Sequence, residues 1–235
     1  MSVVGDGITA DNARWTFDGI ADSFEAHVSK SVPLYREGHD LIARIADFFL
    51  DGPGMVYDLG TSTGRLVRTL IEHNPNRPNL RIVGVDHMPS MIERAQALTK
   101  DPRASFICQD IVELDMEQCS LVTSYLTMQF VHPSLRQQLM DKVYNSLAWG
   151  GAFIMFEKVR APDARFQDYM TLLYNDFKLA SGFSEEEIVQ KARSLKGVQE
   201  PFSTGGNLGL LSRAGFQDVM TVFKWVSFEC FLAIK

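Results

Sequence analysis

The segment from Met55 to Leu66 constrains the fold of this chain more than any other. It begins as a short apolar run that contains Asp58, and it continues through a turn with glycines at positions 60 and 64 into a stretch of helical periodicity. This order predicts a buried strand, a tight turn and a helix. Glycine adopts backbone angles closed to other residues, and the start of a helix presents unpaired N–H groups, so the turn predicts a site for a nucleoside or an amino acid.

A second strand pattern, from Arg81 to Asp86, also ends on an acid. An acid at the end of the strand that follows a glycine turn commonly accepts hydrogen bonds from ribose hydroxyls. The turn itself, D-L-G-T-S-T-G, lacks the third glycine of the dinucleotide fingerprint and the Gly-Lys-Ser/Thr of a P-loop, so a nucleoside is favoured over a pyrophosphate. Two structural alternatives stay open. The glycines can serve only to pack a helix on a strand, and Asp86 can cap a helix.

Strand and helix patterns alternate through the middle of the chain. The predicted elements are 55–59, 64–73, 81–86, 90–99, 104–108, 120–126, 134–148 and 151–156, followed by a loop at 197–207, a helix at 208–214 and a β-hairpin of 219–224 with 228–234. Such alternation predicts a mainly parallel sheet covered on both faces, with ligands at the carboxyl ends of its strands. The glycine turn, Asp86, Asp110 and Tyr125 all fall at such ends.

Two aromatic-rich segments flank this core. In the first, over residues 1–50, a helix face is predicted before a second helix at 37–50, and residues 1–12 are expected to be mobile; the face contains Trp15, Phe17, Ile20, Phe24 and Val28. The second, over 159–205, is a helical insertion with a stripe of Phe166, Tyr169, Met170, Leu173, Tyr174 and Phe177. We expect both to act as lids over the site, although packing on the core is the alternative.

Composition limits the class of protein. A chain of 235 residues, of which 46% are hydrophobic, is long enough for one sizeable core, and we expect a single domain over residues 1–235. The net charge of -6 argues against direct nucleic-acid binding and favours a small-molecule substrate. The three cysteines have no disulfide or zinc spacing, and we predict no metal. No apolar run reaches the roughly 18 residues of a membrane span, so a cytoplasmic protein without membrane contact is expected.

Further motifs carry a family resemblance. Together with the glycine turn and Asp86, the runs Met88-Pro89-Ser90-Met91 and Gln109-Asp110-Ile111 resemble the S-adenosyl-L-methionine (SAM) site of class I methyltransferase-fold enzymes. More closely, the chain resembles the carboxy-SAM synthases, which make a modified SAM used in wobble-uridine modification of tRNA. The resemblance runs almost end to end and implies a Rossmann-like fold. Its expected form is a mainly parallel seven-stranded sheet with an antiparallel last strand, helical lids at the N-terminus and at 160–195, and SAM as cofactor or substrate.

The resemblance also assigns the parts of SAM to residues. It implies that the methionine part contacts Gly60, Thr61 and Ser62, that the ribose binds Asp86 with His87 and Met88 beside it, and that the adenine meets Asp110 and Ile111. Tyr35 and Tyr125 are expected near the sulfonium.

Two positions depart from the family pattern. Carboxy-SAM synthases have Gln-Lys-Arg where this chain has Gln190-Lys191-Ala192, and their arginine grips the extra carboxylate of the product. An unpaired buried carboxylate costs about 3–5 kcal/mol, and alanine supplies no partner. Arg193 lies one residue further along a helix and would point about 100° away, so only a register shift would restore the match. Tyr125 replaces an asparagine of the family.

Three reactions of SAM compete. In azetidine-2-carboxylate synthases, another branch of the fold, SAM is the sole substrate: its α-amine attacks its own γ-carbon and expels methylthioadenosine. A small-molecule methyltransferase is the commonest enzyme of the fold, but it needs an acceptor cleft. A carboxy-SAM synthase uses SAM and prephenate, and Ala192 opposes that reaction. We rank cyclisation first, methyl transfer second and carboxy-SAM formation third.

Cyclisation requires a neutral amine, a folded aminopropyl chain and exclusion of water. Aromatic rings hold a sulfonium by cation–π attraction, and an amide or tyrosine oxygen can accept a hydrogen bond from the amine. We therefore predict Tyr174, Asn175 and Tyr125 as the catalytic residues. A SAM-binding protein without activity and assembly as a homodimer are left open.

Overall fold

The computed structural model describes residues 2–3, 9–10, 24–50 and 54–235. The first two pairs form a small antiparallel ladder of β1 (Ser2–Val3) and β2 (Thr9–Ala10). The predicted helix face at Trp15, Phe17 and Ile20 lies outside the described residues, as does most of the segment 1–12.

A seven-stranded sheet forms the centre of the molecule. Its strands are β3 (Met55–Leu59), β4 (Arg81–Asp86), β5 (Ala104–Cys108), β6 (Cys119–Tyr125), β7 (Leu147–Lys158), β8 (Asp218–Trp225) and β9 (Phe228–Ile234). Their order in space is β5-β4-β3-β6-β7-β9-β8. The pairs from β5 to β7 are parallel, whereas β9 is antiparallel to both β7 and β8. This is the predicted sheet, with only the last strand reversed.

Helices surround this sheet. They are α1 (Phe24–Ser31), α2 (Tyr35–Ala46), α3 (Arg65–His73), α4 (Pro89–Leu98), α5 (Arg136–Ser146), α6 (Ala164–Ala180), α7 (Glu185–Ser194) and α8 (Thr204–Ala214), with single 3-10 turns at Met128–Phe130 and Pro133–Leu135. None of the helices that the structure describes is both long enough and apolar enough to cross a bilayer.

The central strand β3 shows how the core is built. All five of its residues are buried, which matches a continuous apolar run covered on both faces. Val56 packs on the layer that contains α2 and α3, while Tyr57 and Leu59 pack on the opposite layer with α5 and α8. Burial of each such side chain contributes about 1.5–3 kcal/mol to the free energy of folding. The packing of β3 therefore holds the turn that follows it in place.

Three predicted boundaries are wrong. The helix expected to reach residue 148 ends at Ser146, and β7 starts directly at Leu147 because Leu147 already pairs with Cys119 of β6. The helix predicted at 37–50 is α2, which ends at Ala46. The loop predicted at 197–207 already contains the start of α8, because the Ser203 side chain accepts a hydrogen bond from Gly206 N and caps the helix.

Candidate active site

The glycine turn after β3 is hydrogen-bonded to β4 and lies against the loop after β6. The amides of Gly60 and Thr61 both donate to the carbonyl of Val85, at 2.8 and 2.9 Å. Gly60 has a φ of 75°, and a Cβ atom there would lie 2.1 Å from the hydroxyl oxygen of Thr127, in the loop after β6. The close approach of these two loops therefore requires glycine at position 60.

Asp86, at the end of β4, connects this turn to the next one. Its Oδ2 accepts from Ser62 N at 2.9 Å, and its Oδ1 accepts from Met88 N at 3.0 Å. A carboxylate has about four lone-pair sites, so each oxygen can accept a further hydrogen bond from a pair of ribose hydroxyls. Asp86 is not the N-cap of α4, which is Met88. His87 is mostly exposed beside it, with Nδ1 3.8 Å from Asp86 Oδ1.

Asp110 and Ile111 follow β5. The Asp110 carboxylate accepts from Val112 N at 2.8 Å and thereby shapes a tight turn, and no helix starts there for it to cap. Asp110 is exposed and Ile111 is buried, so a polar and an apolar group lie side by side at this strand end. An exposed carboxylate next to an apolar surface is a suitable arrangement for an adenine ring and its amino group.

A single cavity of about 930 Å³ runs along the carboxyl ends of the strands and under α1, α6 and α7. Every predicted site residue lines it: Tyr35, Gly60, Thr61, Ser62, Asp86, His87, Met88, Asp110, Ile111, Tyr125, Tyr174 and Asn175. Within the part of the chain that the structure describes, no three His, Cys, Asp or Glu side chains are grouped so as to hold a metal ion.

The cavity wall beyond the glycine turn is aromatic. Tyr125 stacks between His39, at 4.2 Å between ring centroids, and Phe156, at 4.4 Å. Tyr35 meets Tyr125 edge-on at 5.6 Å. The Tyr125 hydroxyl donates to the Tyr35 carbonyl at 3.2 Å, and His39 Nδ1 lies 2.7 Å from the same oxygen. Packing and hydrogen bonds together hold these rings in one arrangement.

Burial sets the protonation states of this wall. It raises the pKa of the Tyr35, Tyr125 and Tyr174 hydroxyls far above the ordinary value, so all three stay neutral. It lowers the pKa of His39 to about 4, so this imidazole is neutral near pH 7. Neutral phenols cannot act as strong bases. They can accept hydrogen bonds and present ring faces to a cation.

Helix α6 covers the cavity with a different face from the one that its aromatic pattern predicts. Phe166, Tyr169 and Leu173 are about half exposed and do not line the cavity, because the helix is rotated towards it along Gln167, Met170, Thr171, Tyr174, Asn175 and Lys178. The helix is attached to α1 through the Tyr174 hydroxyl, which donates to the Ser31 carbonyl at 2.8 Å.

Two lysines that line the cavity were not predicted as site residues from the sequence. Lys158 Nζ lies 4.6 Å and Lys178 Nζ 4.5 Å from the centroid of the Tyr174 ring. Burial lowers the pKa of each ammonium group to about 8, and for Lys158 the charge of Lys178 adds to this effect. The spacing of four residues between Tyr174 and Lys178 was the available signal, since such pairs share one helix face.

The position of the family arginine is visible on α7. Both Ala192 and Arg193 are exposed, but Ala192 lines the cavity and Arg193 lies outside the lining. Helix α7 starts at a complete capping box between Ser184 and Glu187, which fixes where the helix begins. With the helix starting there, Arg193 does not line the cavity.

Comparison with known proteins identifies the family. Residues 56–151 match the family model described as a methyltransferase domain. The carboxy-S-adenosyl-L-methionine synthase of Staphylococcus epidermidis is 35% identical over 94% of this chain and 97% of its own length. That of Nautilia profundicola is 34% identical over 92% of each chain. This chain belongs to the carboxy-SAM synthase family.

Solved structures agree on the fold. Human N-acetylserotonin methyltransferase in complex with SAM matches 92% of this chain and 55% of its own, with a TM-score of 0.63 and 17% identity. An O-methyltransferase of Nostoc punctiforme, itself described as putative, matches 92% and 59% with a TM-score of 0.65 and 18% identity. The chain thus spans little more than half of these two proteins. The expected class I methyltransferase fold, a SAM-dependent enzyme and SAM as its cofactor are confirmed.

Proposed function

We propose that this member of the family converts SAM alone to azetidine-2-carboxylate and methylthioadenosine. The observation that carries the proposal is the place of Ala192, which lines the cavity where the family resemblance implies an arginine for a second carboxylate. Tyr35, Tyr125 and Tyr174 line the same cavity. Such rings suit a sulfonium and a short carbon chain, and alanine at position 192 supplies no cation to pair with the second carboxylate of a carboxy-SAM product.

We further propose that SAM lies across the sheet in strand order. The adenine would be bound by Asp110 and Ile111 after β5, the ribose by Asp86 after β4 with His87 and Met88 beside it, and the methionine part by Gly60, Thr61 and Ser62 after β3. The free lone pairs of Asp86 and the glycine turn support this fit. In this arrangement the described segments 24–50 and 159–205 serve as lids of one domain.

SAM supplies an activated carbon–sulfur bond: the α-nitrogen forms a bond to the γ-carbon, the carbon–sulfur bond breaks, and its electron pair stays on the sulfur of methylthioadenosine. For this to happen the α-ammonium group must first release one proton to the solvent, before the cavity closes. The residues then have three tasks. Tyr35 and Tyr125 present rings to the positive sulfur, Tyr174 and Asn175 accept hydrogen bonds from the amine, and the covering helix α6 excludes water.

Carboxy-SAM formation is the second candidate. It is supported by relatives of that name that match 97% and 92% of their own length. It is opposed by Ala192, since the exposed Arg193 does not replace the missing guanidinium in the cavity. Methyl transfer to a small acceptor is the remaining alternative.

Two parallel incubations separate the three reactions. Purified protein is incubated with SAM alone and with SAM plus prephenate, and the products are identified by chromatography and mass spectrometry. We expect methylthioadenosine and a four-carbon cyclic amino acid from SAM alone, with no consumption of prephenate. A carboxylated SAM in the second incubation would contradict the proposal in favour of the family reaction. Intact SAM in both would leave methyl transfer to an unidentified acceptor.

Tyr174→Phe tests the proposed catalytic group. The variant keeps the ring and loses the hydroxyl, which donates to the Ser31 carbonyl and which we propose accepts from the amine of SAM. We expect the formation of methylthioadenosine to slow by about 10–100-fold with little change in SAM affinity. Tyr169→Phe on the same helix, where the side chain is about half exposed, is the matched control and should behave as wild type. Equal rates in the two variants would remove Tyr174 from the catalytic residues.

A further inference from the structure

We propose that Lys158 and Lys178 form a binding subsite for a substrate carboxylate at the Tyr174 end of the cavity. In naming SAM as the source of that carboxylate, the inference rests on the proposed function. The subsite itself does not depend on it, because any acid that enters the cavity would meet the same two ammonium groups.

Geometry brings the two lysines together. Lys158 is the last residue of β7 and pairs with Phe228 of β9, while Lys178 lies on α6 one turn after Tyr174. Both ammonium groups lie over the Tyr174 ring, at 4.6 and 4.5 Å from its centroid, so they can be no further apart than these two distances combined. Both residues line the cavity. Two positive groups thus converge from different elements on one part of the wall.

Neither ammonium group has an acidic partner or a hydrogen bond among the described residues. The carboxylates that line the cavity are engaged elsewhere: Asp86 and Asp110 accept from backbone amides, Asp58 accepts from Thr123, and Glu187 belongs to the cap of α7. Like charges repel each other, and the charge of Lys178 adds to the effect of burial in lowering the pKa of Lys158. The attraction of the Tyr174 ring compensates in part, and an entering carboxylate would neutralise one full charge.

Position along the sheet decides which substrate group reaches the lysines. β7 lies two strands from β3 and on the far side of it from β4, so Lys158 is beyond the glycine turn when viewed from the ribose site at Asp86. An amino-acid chain that extends from a nucleoside at β4 past the glycine turn would direct its carboxylate towards this end. A second carboxylic acid substrate would occupy the same end, and the experiment distinguishes the two sources.

The first arm measures affinity by calorimetry for SAM and for decarboxylated SAM, which keeps the amine and the sulfonium. We expect Lys158→Met and Lys178→Met each to weaken SAM binding by at least tenfold and to change binding of decarboxylated SAM by less than twofold. Lys158→Arg should retain SAM affinity because it keeps the charge. Lys100→Met is the control, since Lys100 is exposed and bonds the Gln96 carbonyl.

The second arm fills the nucleoside site with S-adenosylhomocysteine and titrates prephenate as a probe acid. If the lysine variants bind SAM as wild type but lose prephenate binding, the subsite stands, its carboxylate comes from a second substrate, and the single-substrate reaction is wrong. If folded variants, verified by circular dichroism, bind both SAM and prephenate as wild type does, the subsite is overturned. Both readouts are independent of turnover, so an absence of azetidine-2-carboxylate from wild type leaves them interpretable.

Discussion

At the scale of single residues, His39 shows how the aromatic wall controls protonation. Its imidazole is 3% exposed, packs against Tyr35 and Tyr125, and has Nδ1 within 2.7 Å of the Tyr35 carbonyl. Burial lowers the pKa of His39 from 6.5 to about 4. Between these two pH values the unfolded chain binds a proton at this residue and the folded chain does not. The contribution of His39 to the free energy of unfolding therefore falls as the pH drops from about 6.5 to about 4.

His39→Asn isolates this effect, because asparagine can still donate to the Tyr35 carbonyl and has no titratable ring. Asp58 acts oppositely in part of the same range, since burial raises its pKa to about 6, so only the difference between variant and wild type is diagnostic. We expect wild type to take up about one more proton on unfolding at pH 5 than His39→Asn, measured from urea unfolding over a pH series.

At the scale of elements, Glu157 of β7 holds the loop after β6. Its carboxylate accepts from the backbone amides of Thr127 at 2.9 Å, Met128 at 2.8 Å and Gln129 at 3.1 Å. Glu157 is 1% exposed, so water cannot replace these bonds. The same loop lies against Gly60 and lines the cavity, which connects a buried acid of one strand to the shape of the site.

We expect Glu157→Gln to lower the free energy of unfolding by about 1–3 kcal/mol, because an amide NH₂ would face backbone N–H groups and leave buried donors unsatisfied. Chemical denaturation measures the loss. Glu113→Gln, an exposed position, is the matched control and should change stability by less than about 0.5 kcal/mol. Equal stabilities of the two variants would show that the loop does not depend on this carboxylate.

At the scale of the whole molecule, the proposed ligand connects the strands on which the fold depends. β3, β4 and β5 each end at the cavity, and a nucleoside bound across them would add contacts that the unfolded chain lacks. A ligand that binds only the folded state stabilises it by about 2.7 kcal/mol when present at one hundred times its dissociation constant. Ligand affinity at one residue should therefore be measurable as thermal stability of the entire chain.

Asp86→Ala tests this connection. Without the acceptor for the ribose hydroxyls, we expect the affinity for S-adenosylhomocysteine to fall by about 1–3 kcal/mol, and the ligand-induced rise in Tm to shrink accordingly. The quantity to compare between variant and wild type is the rise in Tm that the ligand causes. The Tm without ligand also changes, since the variant loses the bonds to Ser62 and Met88. Asp115→Ala, exposed and outside the cavity lining, should show the full wild-type shift. An undiminished shift in Asp86→Ala would reject the ribose assignment.

The sequence by itself determined the sheet and the position of the glycine turn. Strands such as β3 and β4 are short apolar runs buried on both faces, and this signal is local, so their bounds agree with the prediction. Local signals failed where a tertiary contact overrides them: β7 begins at Leu147 because β6 offers partners there, and α8 begins at Thr204 because Ser203 caps it. The alternation of strands and helices along the chain and their hydrophobic periods are sufficient to predict the architecture. They leave element boundaries of this kind undetermined.

Only the tertiary structure decided which side chains meet in the cavity. The hydroxyl of Tyr174 reaches Ser31 across 143 positions of sequence, and Lys158 approaches Lys178 from another element. The rotation of α6 turned Tyr174 to the cavity and left Phe166 and Tyr169 about half exposed, although all three belong to one aromatic pattern. Periodicity specifies that a helix has an apolar face, but the angle at which that face meets the sheet follows from packing between elements distant in the chain.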